Sequence, residues 1–297
     1  MRARHWLPAS TRAAKASATT HGTERGAGRW RFSFARRVIF WMFCFRIAFV
    51  LITTTTLPAV TWLAANPLQR PAASQLLVLR VRVAAFEALV AAAPQLLPPE
   101  ELLRAGRYRH AADRLRFVVA RMALRGVLGR WLGLPSAAIR LGVGPHKKPF
   151  LADDPTLHFS LAHTREWVLL ALATNPLGVD VEHVDPAFPF ADILFASFSA
   201  AEQAVIGQAP EARRQFYQLW TRKEALVKAT GQGLDDTLPT LPVLDGSHPS
   251  PTAQAWHLAS FAVADDHLAA LAYSGAECGN IAFYDLTPEY LLATASS

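Results

Sequence analysis

"LWTRKEALVKATGQGL", residues Leu219–Leu234, decides how the chain reads. Good helix formers continue to Thr230, and Gly231 and Gly233 then close the run, the pattern of a helix ended by a left-handed turn. Counting in fours from Phe216 gives Trp220, Glu224 and Lys228. Residues four apart stack on one helix face, so an apolar row runs into a carboxylate and an ammonium, and Lys223 beside them breaks the stripe again. A solvated Glu–Lys pair at this spacing stabilises a helix by only about 0.3–0.5 kcal/mol. Phe216 and Trp220 instead place the row inward, where charge needs a partner.

A partner lies upstream in "GVDVE" (Gly178–Glu182). Two apart on an expected strand, Asp180 and Glu182 leave the same face and repel unless a cation compensates. Oxygen ligands without Cys or His suit a hard ion, Mg²⁺ above all. Two acids solvated at a strand edge are the competing reading. Glu224 as a third carboxylate, flanked by Lys223 and Lys228, shifts the balance toward a metal beside a di- or polyphosphate. Between Arg104 and Arg130 lie eight arginines and one acid, Asp113. That is either a solvated basic face or a phosphate grip, since arginine binds phosphate in bidentate fashion.

The 297 residues suffice for one large domain or two small ones, and 52% hydrophobic against 18% charged residues makes the body globular. The net charge of +7 is uneven: the first fifty residues hold ten Arg or Lys and the single acid Glu24, whereas the remainder hold 20 basic and 22 acidic groups. Nucleic-acid binding would rest on that leader alone, and it is not expected. Cys44 and Cys278 form no zinc or CxxC spacing and no disulfide framework, which points to a reducing cytoplasm.

Residues 1–37 lack apolar periodicity and read as disordered. "VIFWMFCFRIAFVLITTTTL" (Val38–Leu57) has the length of a membrane span with a basic cytoplasmic flank. A mis-annotated start and a structural arm are the other readings of this leader. Residues 1–70 are accordingly set apart as a basic leader plus hydrophobic segment, dispensable for catalysis, with any membrane contact confined to residues 38–65.

From Leu76 the pattern is that of a compact domain. "LLVLRVRVAAF", "TLHFSLAH", "EWVLLALA", "GVDVE", "AWHLASFAV" and "HLAALAY" read as strands, and helices begin near Pro99 and run through Phe216–Thr230. Strands and helices without a regular βαβ rhythm predict an α+β fold, with the second half repeating the order of the first. No phosphate loop of the GxxxxGK[ST] type, GxSxG elbow or HExxH motif is present.

Four stretches, "KKPF" (Lys147–Phe150), "HFSLAH" (His158–His163), "GVDVE" and "FYQLWTRKEALVKATGQGL" (Phe216–Leu234), occur in the order and spacing of a known family. From about Leu76 onward the chain resembles the 4'-phosphopantetheinyl transferases of the long, surfactin-synthetase-activating type. "PPEELLRAGRYRHAADRLRF" and "FSAAEQ" (Phe198–Gln203) add weaker similarity.

The resemblance implies two similar α+β halves, residues 71–175 and 176–297, each a small antiparallel sheet with a long helix. A pseudo-twofold axis would relate them, with coenzyme A in the cleft between. The implied reaction moves the phosphopantetheine arm of coenzyme A to a serine of an apo acyl- or peptidyl-carrier domain, releasing 3',5'-ADP, in a monomeric enzyme. Asp180, Glu182 and Glu224 would gather Mg²⁺. Lys228 would contact the pyrophosphate, with Lys223 near it, and Lys148 would sit by the adenosine. Arg104, Arg116 and His163 would hold the 3'-phosphate. Glu224 is the expected base for the serine proton. Ala162 and Ser160 depart from the family's usual Ser and Asn, and neither change removes a metal ligand. A non-catalytic, membrane-anchored coenzyme A-binding or scaffold protein that kept the fold is the alternative.

Overall fold

The computed structural model describes residues 50–65, 68–73, 75–233, 237–250, 252, 254–275 and 280–292. In chain order the strands are β1 (Leu51–Thr56), β2 (Trp62–Ala64), β3 (Gln75–Arg82), β4 (Leu141–Val143), β5 (Pro149–Leu151), β6 (His158–Thr164), β7 (Trp167–Ala173), β8 (Leu177–His183), β9 (Gly246–Pro249), β10 (Trp256–Ala264), β11 (His267–Ser274) and β12 (Asn280–Asp285). The helices are α1 (Ala93–Leu96), α2 (Pro99–Gly106), α3 (Ala111–Leu132), α4 (Ala191–Ser197), α5 (Ala200–Gln208), α6 (Ala212–Thr230) and α7 (Pro288–Leu292). The mixture is α+β, as the sequence predicts.

Two five-stranded sheets carry the fold, in the orders β6-β7-β3-β12-β2 and β8-β11-β10-β1-β9. In each, a leading strand (β3 or β8) runs into helices and then an antiparallel hairpin (β6–β7 or β10–β11), and it pairs antiparallel with the hairpin's second strand. The two halves thus share one connectivity. The long helix α3 packs its buried residues Val119, Met122, Leu124 and Val127 with Leu77, Leu79, Leu170 and Leu172. The other long helix, α6, packs Leu219, Ala225 and Leu226 with Leu258, Leu268 and Ala270. A third core joins the remaining sheet faces through Val78, Leu169, Ala171, Val179, Val181, Phe261 and Leu271. β7 and β11 are therefore buried on both faces, which explains why "WVLLALA" and "HLAALAY" are almost continuously apolar.

Local signals set the helix ends. Gly133 and Gly231 follow α3 and α6 at φ 65° and 70°, in the left-handed region. Ser199 opens α5 with a reciprocal capping box to Glu202.

Two strands lie upstream of the boundary expected at residue 70. β1 lies inside the second sheet, parallel to β10 (Ile52 opposite Trp256) and antiparallel to β9, with Ile52 fully buried. β2 runs parallel to β12, which itself runs parallel to β3. Each half thereby takes a strand from the far end of the chain. The hydrophobic run up to Leu57 read as a span by composition, but its Thr53–Thr56 stretch is β-branched and suits a strand. Residues 38–49 of that expected span lie outside the described residues. Among the described residues no helix is long and apolar enough to cross a membrane.

A chain cut before residue 71 loses β1 and β2. It should unfold at least about 3 kcal/mol more easily in urea than one cut before residue 50, from the lost burial of Ile52 alone. Equal midpoints would return residues 50–70 to a dispensable leader.

Candidate functional site

The site grows from one close approach. A Cβ added to Gly178 would stand 2.1 Å from the Ala225 carbonyl oxygen and 2.4 Å from the Ala229 nitrogen. The α6 backbone therefore rests directly on β8, which only glycine allows at that position. Two residues further along β8, Asp180 lies opposite Ala270, and Glu182 lies opposite Leu268, both α6-facing residues of β11. The two carboxylates thus meet the row of Glu224 and Lys228.

Lys228 Nζ donates to Asp180 Oδ1 at 2.6 Å and to the Val179 carbonyl at 3.1 Å. Thr164 Oγ1 donates to Glu182 Oε2 at 3.4 Å. Ser160 Oγ accepts from the Val179 N–H at 3.0 Å, tying β6 to the free edge of β8. Asp180 Oδ2 is buried and has no partner among the described residues.

Charge here is unbalanced. Burial, together with the Asp180 and Glu224 carboxylates, pushes the Glu182 carboxyl up to about 8. Burial works against the charge of Lys228, but Asp180, Glu224 and Glu182 together hold its ammonium above the ordinary range. Among the described residues, no three His, Cys, Asp or Glu side chains stand close enough to hold a metal ion as they are. Lys228 supplies the positive charge at Asp180 instead. The donor set still fits a hard divalent cation: an unpartnered buried carboxylate oxygen, and a carboxyl kept protonated chiefly by burial and its acidic neighbours.

The other expected site residues fall out differently. Lys148 Nζ donates to the carbonyls of Leu177 (3.2 Å) and Ala229 (2.9 Å), and burial lowers its pKa to about 8. It therefore clamps the C-terminal end of α6, where a cation is favoured, next to Gly231. Arg104 lies over the Phe117 ring at 5.2 Å and lines, with Arg107 and Tyr108, an open pocket of about 340 Å³. Arg116 binds Asp113 and the Arg165 carbonyl, which places it beside the β6–β7 turn. His163 is partly buried on β6, one residue before Thr164.

Lys223 does not join the phosphate-facing group expected for it. It is fully buried on the opposite side of α6, paired with Glu202 at 2.9 Å. Two of the eight arginines are also structural: Arg121 and Arg125 share buried Glu101. Reading the sequence missed the roles of Gly178 and Thr164 and met Ser160 only as a departure from the family pattern. Only Gly178 left a signal, as a glycine inside a strand pattern.

Two family models match consecutive parts of the chain: "4'-phosphopantetheinyl transferase, N-terminal" over residues 85–175 and "4'-phosphopantetheinyl transferase superfamily" over residues 176–272. Their junction falls in the turn between β7 and β8. The 4'-phosphopantetheinyl transferase HetI of Nostoc sp. is 31% identical over 187 residues, covering 60% of this chain and 79% of the relative. A 4'-phosphopantetheinyl transferase of Bacillus subtilis is 30% identical over 197 residues, covering 64% and 78%. The rat L-aminoadipate-semialdehyde dehydrogenase-phosphopantetheinyl transferase is 29% identical over 153 residues, covering 46% and 49%. With both halves matched and the β8–α6 cluster in place, this chain belongs to the 4'-phosphopantetheinyl transferase superfamily and is an enzyme of that class.

Gly178→Ala forces a methyl against the α6 backbone. It should cost about 2–3 kcal/mol or more in urea unfolding and abolish most activity. An unchanged unfolding midpoint would show that α6 does not depend on this contact.

Proposed function

We propose that the protein transfers the 4'-phosphopantetheine arm of coenzyme A to a serine of an apo carrier protein, releasing 3',5'-ADP, with Mg²⁺ as cofactor. The observation that carries this reading is the cluster of Asp180, Glu182, Glu224 and Lys228 in a chain of this family. Coenzyme A would lie in a cleft between two halves related by a pseudo-twofold axis. The shared connectivity of residues 71–175 and 176–297 supports that arrangement, as do the links from Ser160 and Lys148 to β8 across the seam.

Asp180, Glu182 and Glu224 would hold the metal. The bound ion supplies electrostatic screening of the pyrophosphate, whose bridging oxygen gathers negative charge as the bond breaks. The carrier serine oxygen attacks the phosphorus that bears the pantetheine arm, and the bond from that phosphorus to the bridging oxygen breaks. Glu224 takes the serine proton, and the bond's electron pair leaves on 3',5'-ADP. Lys228 would turn its ammonium toward the leaving phosphate. Arg104, Arg116 and His163 would hold the 3'-phosphate, and Lys148 would sit at the adenosine end. The enzyme would work as a monomer in the cytoplasm.

Incubating the protein with coenzyme A, Mg²⁺ and apo carriers should add the mass of the arm to a carrier serine. Glu224→Gln should lower kcat at least about a hundredfold, with little recovery at raised Mg²⁺, because added ion does not replace a base. Asp180→Asn should regain part of its rate as Mg²⁺ rises. A near-wild-type rate for Glu224→Gln would contradict its role as base.

A further inference from the structure

The "FSAAEQ" stretch and Lys223 remain unused by the transfer chemistry, and the structure brings them together. Lys223 Nζ donates to the carbonyls of Leu238 and Leu241 at 2.8 Å each and pairs with Glu202 Oε2 at 2.9 Å. The same Glu202 Oε2 accepts from the Ser199 N–H at 2.9 Å, and its Oε1 accepts from the Val243 N–H at 3.3 Å. Glu202 is 1% exposed and Lys223 0%. One buried ion pair therefore joins α5, α6 and residues 238–243, and the three contacts use all three donors of the ammonium.

A buried pair of this kind seldom stabilises more than an apolar pair of the same shape, and fixing one geometry is the role it can fill instead. The geometry in question is the rotation of α6. Successive helical residues point about 100° apart, so a clamp on Lys223 sets where Glu224 points. Lys228, five residues on, already faces Asp180. The segment that Lys223 grips also follows the glycine turn after α6, where Gly233 lies against His146.

We propose that Lys223 and Glu202 are a positioning pair: they lock α6 and residues 238–243 in register so that Glu224 faces Asp180 and Glu182, and Lys223 touches neither coenzyme A nor the metal. This assignment rests on the transfer reading above.

The test compares Lys223→Met, Glu202→Gln and the double variant in carrier modification, alongside hydrogen exchange of the backbone over residues 238–243. Each single change should lower kcat about tenfold and leave KM for coenzyme A within about twofold, with the double variant no slower than the slower single. Exchange over 238–243 should speed up in all three. A tenfold rise in KM for coenzyme A in Lys223→Met, with Glu202→Gln at wild-type rates, would overturn the proposal and return Lys223 to the phosphates. So would unchanged exchange in both singles. If Lys223→Met fails to fold, Glu202→Gln decides alone: it keeps an oxygen for Val243 or Ser199, and wild-type kinetics would overturn the pair. If the wild type modifies no carrier, the transfer reading fails, whereas the exchange measurement still judges the clamp.

Discussion

A helix and a strand normally keep a side chain's width between their backbones. At Gly178 that spacer is missing, and the Ala225 carbonyl and the Ala229 nitrogen fill the space a methyl would need. The carboxylate cluster follows from this contact. It brings the α6-facing side of β8 within reach of the fourfold row on α6, so that Asp180 and Glu182 meet Glu224 and Lys228. The same approach lets Lys228 reach the Val179 carbonyl. It also lets Lys148 cap the helix from the neighbouring half. Three acids stand against one close lysine, and Asp180 Oδ2 is buried with no partner among the described residues.

Much of this was legible in the sequence because it is local. The glycine stop of α6, the paired acids on one strand face and the apolar hairpins all depend on periods of two or 3.6 residues. The buried partner of Lys223 was not legible, because Glu202 sits on another helix and no periodicity links the two. The ion pairs of Arg121 and Arg125 leave no sequence signal for a similar reason: they fit a solvated basic face or a phosphate grip equally well, and the buried Glu101 that holds them lies on α2. β1 was lost for a different reason. Its apolar and threonine-rich run matches a membrane span by composition, and its pairing partner, β10, lies some two hundred positions along the chain.

The exchanged strands also bear on the site. Arg222, 1% exposed on α6, donates to Thr56 of β1, to Ser260 of β10, to the Val243 carbonyl and to Asp245. With Lys223 beside it, α6 is anchored on its far side by two buried cations, while Glu224 and Lys228 face Asp180 and Glu182. Buried charge on one side fixes the helix, and on the other side Glu224 and Lys228 meet the carboxylates of β8.

Burial, Asp180 and Glu224 hold the Glu182 carboxyl protonated at neutral pH, and the proposed metal site requires that proton to leave when a cation binds. The carboxyl's raised value of about 8 stabilises the metal-free fold fully below the unfolded value of about 4.5, and that contribution is lost as pH rises through about 8. Were the cluster to hold Mg²⁺ as proposed, binding at pH 7 would expel close to one proton, and fewer as pH passes 8. Calorimetric titration of the protein with Mg²⁺, in buffers of different ionisation heat, measures this number directly. Near one proton released per ion at pH 7, falling toward zero by pH 9, is the result expected. Binding of Mg²⁺ with no proton release at pH 7 would contradict the account.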